Sequence, residues 1–222
     1  MKKLLLGTAT AAALAMALAS PANAVVSISV NPSVTNYATD LVAVPDSKII
    51  WDFDTIFEPG YSYTPATAID VGSTPSVSRA PKGDTTVYGT VNPLQSPATF
   101  SATAGLTKFS WLVGSPDAFN RVVFKGLGGV VLGDLTGAAL FGPSVALGGR
   151  DTAHRIEYSF GGARAYDILF YSNRNAKSFA LEFDRFAGTV PEPTTWSMML
   201  IGFFGFGSVL RRARKQSALV KA

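Results

Sequence analysis

Cysteine is absent from the 222-residue sequence, and histidine occurs once, at His154. Without thiols the chain can build no disulfide framework, no cysteine-ligated zinc site and no thiol nucleophile. A Ser–His–Asp triad would have to use His154, which opens a predicted strand beside Arg155, and no Gly-x-Ser-x-Gly, phosphate-binding loop or zinc motif accompanies it. The sequence therefore predicts a protein without catalytic activity, held together by its own hydrophobic core.

Excess positive charge is confined to the two ends of the sequence. The formal net charge is +4, but seven of the nineteen Lys and Arg residues lie before residue 25 or after residue 190. Between those limits twelve basic residues face fourteen acidic ones. A slightly acidic body does not fit a nucleic-acid-binding protein, and basic ends are typical of segments that set membrane topology.

Residues 1–24 have the pattern of a secretory signal peptide. Two lysines precede an apolar run from Leu4 to Leu18, and Ala22 and Ala24 supply the small residues that signal peptidase requires. A permanent N-terminal anchor would need a longer apolar run. We therefore expect export by the Sec translocon, with signal peptidase cleaving after Ala24.

Long helical periodicity is lacking in residues 25–188. Apolar and polar residues instead alternate in short segments bounded by Gly, Pro, Asn and Ser, as in strands with one buried and one wet face. In "SFALEFDRF", for example, Leu181 and Phe183 are expected inside and Glu182 and Asp184 outside. The segments with this pattern are "KIIWDF", "LTKFSWLV", "HRIEYSF", "AYDILFYS" and "SFALEFDRF". We predict an all-β fold, an antiparallel β-sandwich of jelly-roll type, with "TTVYGTV" as an edge strand and one or two hairpins in residues 126–149.

Three groups of residues in this body could bind a ligand, two of them carboxylates and tyrosines and the third a turn described below. Asp52 and Asp54 share a predicted strand face, where they either solubilise the strand or hold Ca²⁺ together with backbone carbonyls. A glycosidase pair is a weaker interpretation, since carboxylates at i and i+2 do not flank a substrate bond well. Three tyrosines, Tyr61, Tyr63 and Tyr88, would support carbohydrate binding if they were exposed together.

The stretch "SWLVGSPDAFNRVVF" predicts two strands joined by a turn. Asp117 and Asn120 are expected to satisfy backbone donors in that turn, and a role in ligand binding is the alternative. The stretch resembles a turn of exported sandwich proteins of the exosortase-sorted class, although Phe119 stands where tyrosine is commoner.

The end of the sequence combines three features in a fixed order. Pro191-Glu192-Pro193 is followed by seventeen uncharged residues, 194–210, which would form a helix of about 25 Å, the lower limit for crossing a bilayer. Basic residues follow at once, so the C-terminus is expected in the cytoplasm. Glycines weaken this helix.

This order resembles the PEP-CTERM sorting signal, in the form common in Alphaproteobacteria. The matching residues are Pro191, Glu192, Pro193, Trp196, Met198, Met199, Gly202, Phe203, Arg211 and Arg212. Phe204 stands where the family often has glycine, and seven residues follow Lys215 where many such signals stop.

The resemblance implies a substrate of exosortase, a membrane transpeptidase that cleaves near the proline motif. The expected organisation is a signal peptide at 1–24, an ectodomain at 25–188 and a sorting segment at 189–222, with the motif at 191–193, a transmembrane helix at 194–210 and a basic tail at 211–222. An inner-membrane intermediate would precede display at the surface or release, in association with exopolysaccharide or biofilm. No cofactor is expected. A carbohydrate- or calcium-binding module on the same fold, or more remotely a hydrolase, is the alternative.

Overall fold

The computed structural model describes residues 26–73, 78–172 and 180–190, which form mostly strands. Two short helices, α1 (Tyr37–Ala43) and α2 (Ala138–Phe141), and two 3₁₀ turns, Asp46–Lys48 and Leu127–Gly129, interrupt them. The strands are β1 (Ser27–Asn31), β2 (Ile49–Trp51), β3 (Tyr61–Thr64), β4 (Ile69–Val71), β5 (Val87–Val91), β6 (Ala98–Leu106), β7 (Lys108–Val113), β8 (Asn120–Lys125), β9 (Val131–Thr136), β10 (His154–Ser159), β11 (Ala165–Ser172) and β12 (Leu181–Thr189).

The strands form two antiparallel sheets, which confirms the predicted all-β sandwich. Sheet A has the order β1-β10-β7-β12-β5-β4, with β2 pairing to the second half of β12, and sheet B has the order β3-β6-β11-β8-β9. Side chains of both sheets, among them Trp111 and Phe183 of sheet A and Phe124 and Phe170 of sheet B, belong to one core cluster, so each sheet turns one face toward the other. Facing sheets of this kind enclose a core of inward-pointing side chains.

The core is aromatic and follows the predicted alternation. Phe109, Trp111 and Val113 of β7 are each 0% exposed. Phe170 of β11 lies 4.6 Å, ring to ring, from Phe183 of β12, which joins sheet B to sheet A. Such ring contacts add to the free energy of burying apolar area, so this layer holds the sandwich together without disulfides.

Part of the outer face of sheet A is covered, contrary to the expectation for β12. Glu182 and Asp184 are 3% and 0% exposed, and Arg155 of β10 is 3% exposed. Helix α1 and residues 78–86 lie over this face; Leu112, for instance, packs in a small cluster with Tyr37 of α1. A seven-residue helix is too short to give a periodic signal in the sequence.

Two further expectations about local structure were wrong, and a third was right only in part. "KIIWDF" stops being a strand at Trp51, and Phe53 turns into the core with a left-handed φ of 67°. Strand β5, within "TTVYGTV", is not at the edge, because β4 pairs outside it. Residues 126–149 form the turn and second strand of the β8–β9 hairpin and then helix α2, rather than hairpins alone.

Candidate functional site

Both ends of the described chain leave the sandwich on one side, here called the exit end. At the start, Val26 lies against β9, where a Cβ built on Gly133 would be 2.7 Å from Val26 Cγ2. At the finish, the carbonyl of Thr189 accepts hydrogen bonds from the backbone N–H of Thr107 (2.9 Å) and from its hydroxyl (3.0 Å). Strand β12 is therefore held to its last residue, and the chain continues from Val190 directly into the proline motif.

A groove of about 840 Å³ opens beside the exit end, on the part of the outer face of sheet A that is nearest to that end. Its walls are formed by strands β7, β10 and β12 on one side, and by the turn after α1, strand β2 and the start of β3 on the other. Its lining is Ala43, Val44, Ser47, Lys48, Ile49, Ile50, Glu58, Pro59, Tyr61, Lys108, Ser110, Glu157, Ala187, Gly188 and Thr189. Polar and charged side chains from separate strands thus converge in one open depression, a geometry that suits a polar ligand.

Two interactions set the character of this groove. Lys108 Nζ lies 3.0 Å from Glu157 Oε1, with both side chains close to half exposed, so the pair contributes little to stability. Tyr61 stacks on Phe100 with 5.6 Å between ring centroids. Burial, and then the charge of Glu58, raises the pKa of the Tyr61 hydroxyl, which therefore stays protonated at neutral pH.

Farther from the exit end, helix α1 covers the same face and is joined to it by a buried ionic network. Asp40 of α1 accepts hydrogen bonds from Arg155 Nε (2.8 Å) and Nη2 (2.6 Å) and from Arg185 Nε (3.0 Å). Arg185 also donates to Asp46 Oδ1 (2.7 Å) and the carbonyl of Val44 (2.6 Å). One carboxylate thus pairs with two arginines from different strands and fastens α1 to sheet A.

A β-bulge in β12 aims Arg185 into this network. The register shifts between Asp184 and Ala187, and Arg185 has a φ of 51°, in the left-handed region. That conformation costs free energy for a residue with a side chain, and it persists because the surrounding contacts hold it. The extra residue of the bulge lets Arg185 point outward while Phe183 and Phe186 both point into the core.

Two buried carboxyls face each other next to the network. Asp184 Oδ2 and Asp84 Oδ2 are buried and find no hydrogen-bond partner among the described residues. Burial raises the pKa of both carboxyls, and the charge of Asp84 raises that of Asp184 further. Burial and like charge thus both favour the protonated form of these carboxyls.

Glu182 is a third buried carboxyl of β12. Its Oε1 accepts a hydrogen bond from the backbone N–H of Arg79 (3.0 Å), and burial raises its pKa well above the usual range. The charge of Asp117 raises the pKa further. The covering segment 78–86 therefore rests on polar groups of sheet A.

Asp52 and Asp54 do not share an exposed strand face. Asp52 is buried beyond the end of β2, and its Oδ1 accepts the backbone N–H groups of Asp54 (3.0 Å), Thr55 (2.8 Å) and Ile56 (2.6 Å). Asp54 Oδ1 accepts the N–H of Val87. Both carboxylates thus hold a tight loop, and no group of three or more His, Cys, Asp or Glu within residues 26–73, 78–172 and 180–190 could hold a metal ion.

The turn between β7 and β8 contains Asp117 and Asn120. The N–H of Asn120 donates to the carbonyl of Asp117 (3.2 Å), and its Nδ2 donates to the carbonyl of Ser115 (3.4 Å). Asn120 is 0% exposed. These contacts lie within the turn itself, at the end of the sandwich opposite the exit end.

The tyrosine platform considered for carbohydrate binding is not formed. Tyr63 and Tyr88 are 8% and 0% exposed, and their hydroxyls donate to the carbonyls of Ala68 and Gly72. Tyr61 alone reaches the groove. His154 opens β10 half-buried, and burial lowers its pKa.

The predicted processing signals lie outside the described residues. These are Ala22 and Ala24 at one end and Pro191, Glu192, Pro193, Trp196, Met199, Gly202, Arg211 and Arg212 at the other. Within the part of the chain that the structure describes, no helix is long and apolar enough to span a bilayer.

Sequence reasoning missed the buried network altogether. Asp40, Arg155 and Arg185 come from three distant segments, and nothing local marks them as partners. The only usable signal was the capping box that starts α1, in which Thr39 N–H donates to Asn36 Oδ1 (2.8 Å) and Asn36 N–H donates to Thr39 Oγ1 (3.1 Å).

Comparison with known proteins gave no further assignment: no protein-family model, curated protein or solved structure matches the chain.

Proposed function

We propose that this chain is an exported, non-catalytic surface or matrix protein that exosortase sorts and cleaves through its C-terminal signal. The observation that carries the proposal is the order of three features: Pro191-Glu192-Pro193, the uncharged run 194–210, and the basic cluster after it. The run would cross the inner membrane as a helix, and the cluster would keep the tail in the cytoplasm. The two prolines would keep the intervening peptide extended for a protease cleft.

The geometry of the body supports this topology. The signal peptide would precede Val26 and the membrane helix would follow Val190, and both residues lie at the exit end of a sandwich that we take to be of jelly-roll type. The four residues from Pro191 to Thr194 span about 12 Å when extended. The exit end would thus face the membrane until cleavage, while the rest of the body projects away from it, later to reach the surface or the exopolysaccharide matrix.

The decisive test is the mass of the mature protein from its native host. Replacing Pro191-Glu192-Pro193 by three alanines should leave a chain that ends at Ala222 in the inner membrane. A matched control, Gln216→Ala with Ser217→Ala, changes the tail without touching the motif, the helix or the charges, and should be processed normally. Unchanged processing of the triple-alanine variant, or native peptides running through to Ala222, would contradict the proposal.

A second candidate, binding of a polar saccharide, is favoured by the groove beside the exit end. Its lining offers Lys48, Glu58 and Tyr61 from one wall and the Lys108–Glu157 pair from the other. If the groove binds the host exopolysaccharide, the protein should migrate more slowly in a native gel that contains this polysaccharide than in one without it. The double variant Lys48→Ala with Glu58→Gln should lose this retardation. Arg150→Ala, which removes an exposed cation far from the groove, should not.

A further inference from the structure

The turn between β8 and β9 holds apolar side chains out into solvent. Leu127, Val130 and Val131 are 75%, 52% and 56% exposed. The turn is internally fixed: Gly126 N–H donates to the carbonyl of Val130 (2.7 Å), and Gly129 N–H donates to the carbonyl of Gly126 (3.0 Å). The hydrogen bonds of the turn keep these three apolar side chains exposed. A group of exposed apolar side chains of this kind indicates a surface that binds a partner.

This apolar turn lies at the exit end. Val131 pairs with Lys125 at the end of β8, and β8 runs antiparallel to β11, which begins at Ala165. Ala165 pairs with Leu106, and the next residue of the chain, Thr107, holds the end of β12. The turn therefore shares one side of the body with Val190, which is itself 36% exposed.

We infer that the apolar turn, residues 126–132, rests in the surface of the lipid bilayer while the body is tethered. The inference rests on the proposed function, because the proposed membrane helix starts only four residues after Val190. If the chain between Val190 and the proposed helix is extended, this tether would be about 12 Å long and would hold the exit end next to the headgroups. An apolar side chain needs to enter only about 5–10 Å to reach the boundary between headgroups and acyl chains.

The charges around the turn are compatible with a membrane surface. Lys125 lies at the base of the turn. The exposed Arg164 is close in space to the next residue, because a Cβ on Gly126 would be 3.5 Å from the Arg164 carbonyl oxygen. Asp167 pairs in register with Lys125. The cationic Arg164 is thus the residue placed to meet anionic headgroups.

The size of the patch favours a bilayer over a second copy of the chain. A stable protein interface covers about 800 Å² on each partner, with some 20–30 residues. Three side chains on a narrow turn do not provide such an area. A bilayer requires no complementary shape, only apolar side chains that protrude beyond the backbone.

The experiment uses the absence of cysteine, which makes single labelling sites available. Leu127→Cys places an environment-sensitive fluorophore on the turn, and Leu94→Cys places it on an equally exposed leucine (77%) at the opposite end of the sandwich. Protein purified from membranes, with its ends verified by intact mass, is reconstituted in vesicles of phosphatidylethanolamine and phosphatidylglycerol. Flotation reports insertion of the chain, and nitroxide lipids report the depth of each label. Equal melting temperatures confirm that both variants are folded.

We expect flotation together with lipid quenching about twofold or more stronger at position 127 than at position 94, because only the turn reaches the headgroup boundary. Flotation with equal quenching at the two positions overturns this inference and leaves the membrane helix intact. Failure to float contradicts the membrane helix and, with it, the contact. Shielding of position 127 from aqueous quenchers without lipid quenching indicates a second copy as the partner, and also overturns the inference.

Discussion

The buried carboxylate of Asp40 should matter far more to stability than an exposed carboxylate with the same partner chemistry. Asp40 is 0% exposed and accepts three hydrogen bonds from Arg155 and Arg185, which are 3% and 2% exposed. Asp40→Ala would leave both guanidinium groups buried without their shared counter-charge. Removing one partner from such a group costs about 3–5 kcal/mol in the free energy of unfolding.

The chain contains a matched control. Asp134 accepts two hydrogen bonds of 2.6 Å from Arg121, the same paired geometry, but these side chains are 44% and 34% exposed. Asp134→Ala should therefore cost about 1 kcal/mol or less. The difference between the two variants reports the combined effect of burial and of the second arginine at Asp40, since the residue types and the substitution are the same.

Urea unfolding followed by tryptophan fluorescence would measure both variants, because Trp111 is fully buried and changes its environment on unfolding. For a body of this size the expected loss corresponds to a fall of about 6–20 °C in melting temperature for Asp40→Ala. If that variant does not fold, Asp40→Asn, which keeps one acceptor oxygen, should show an intermediate loss. Equal costs for Asp40→Ala and Asp134→Ala would refute the reasoning that burial makes the network important.

Two further perturbations test the interior of sheet A. Because the pKa of Asp184 is raised in the folded state, folding binds a proton above the normal carboxyl range of about 4, and the free energy of unfolding should fall as pH rises toward neutrality and through the raised pKa. Asp184→Asn, which cannot titrate, should reduce that slope without abolishing it, because the buried Asp84 and Glu182 also have raised pKa values; an unchanged slope would assign the bound proton to those two carboxyls instead. Gly89→Ala would put a Cβ 2.2 Å from Phe183 Cε2, so urea unfolding should show a loss of about 1–3 kcal/mol, and a loss near zero would mean that the ring moves freely.

The sequence predicted the sandwich because its core strands carry a simple signal. Phe109, Trp111 and Val113 alternate with Ser110 and Leu112, and a period of two is enough to decide which face turns inward. The same rule failed for Glu182 and Asp184, because it assumes that whatever does not face the core faces water. Here another layer, α1 with residues 78–86, covers the polar face, and a seven-residue helix and an irregular segment leave no periodic trace.

The candidate residues illustrate the same limit. The pattern of Asp52 and Asp54 in the sequence is consistent with an exposed acidic pair, whereas the strand stops one residue earlier and Asp52 binds three backbone N–H groups. Where a strand ends depends on tertiary contacts, in this case the turn of Phe53 into the core. Long-range partners such as Asp40 and Arg185, 145 residues apart, have no local signal at all.

Folding and the proposed sorting would be separable in this chain, because of where β12 ends. Its last residue, Thr189, is fixed by Thr107, while every residue of the proposed cleavage signal comes after Val190. Cutting the chain within or beyond the motif would remove none of the hydrogen bonds that hold β12 between its neighbours in sheet A. The body could therefore complete its aromatic core and its buried network while tethered in the proposed way, and release would not depend on refolding. A body without disulfides gains from this arrangement, because its stability is established before it leaves the membrane that we propose holds it.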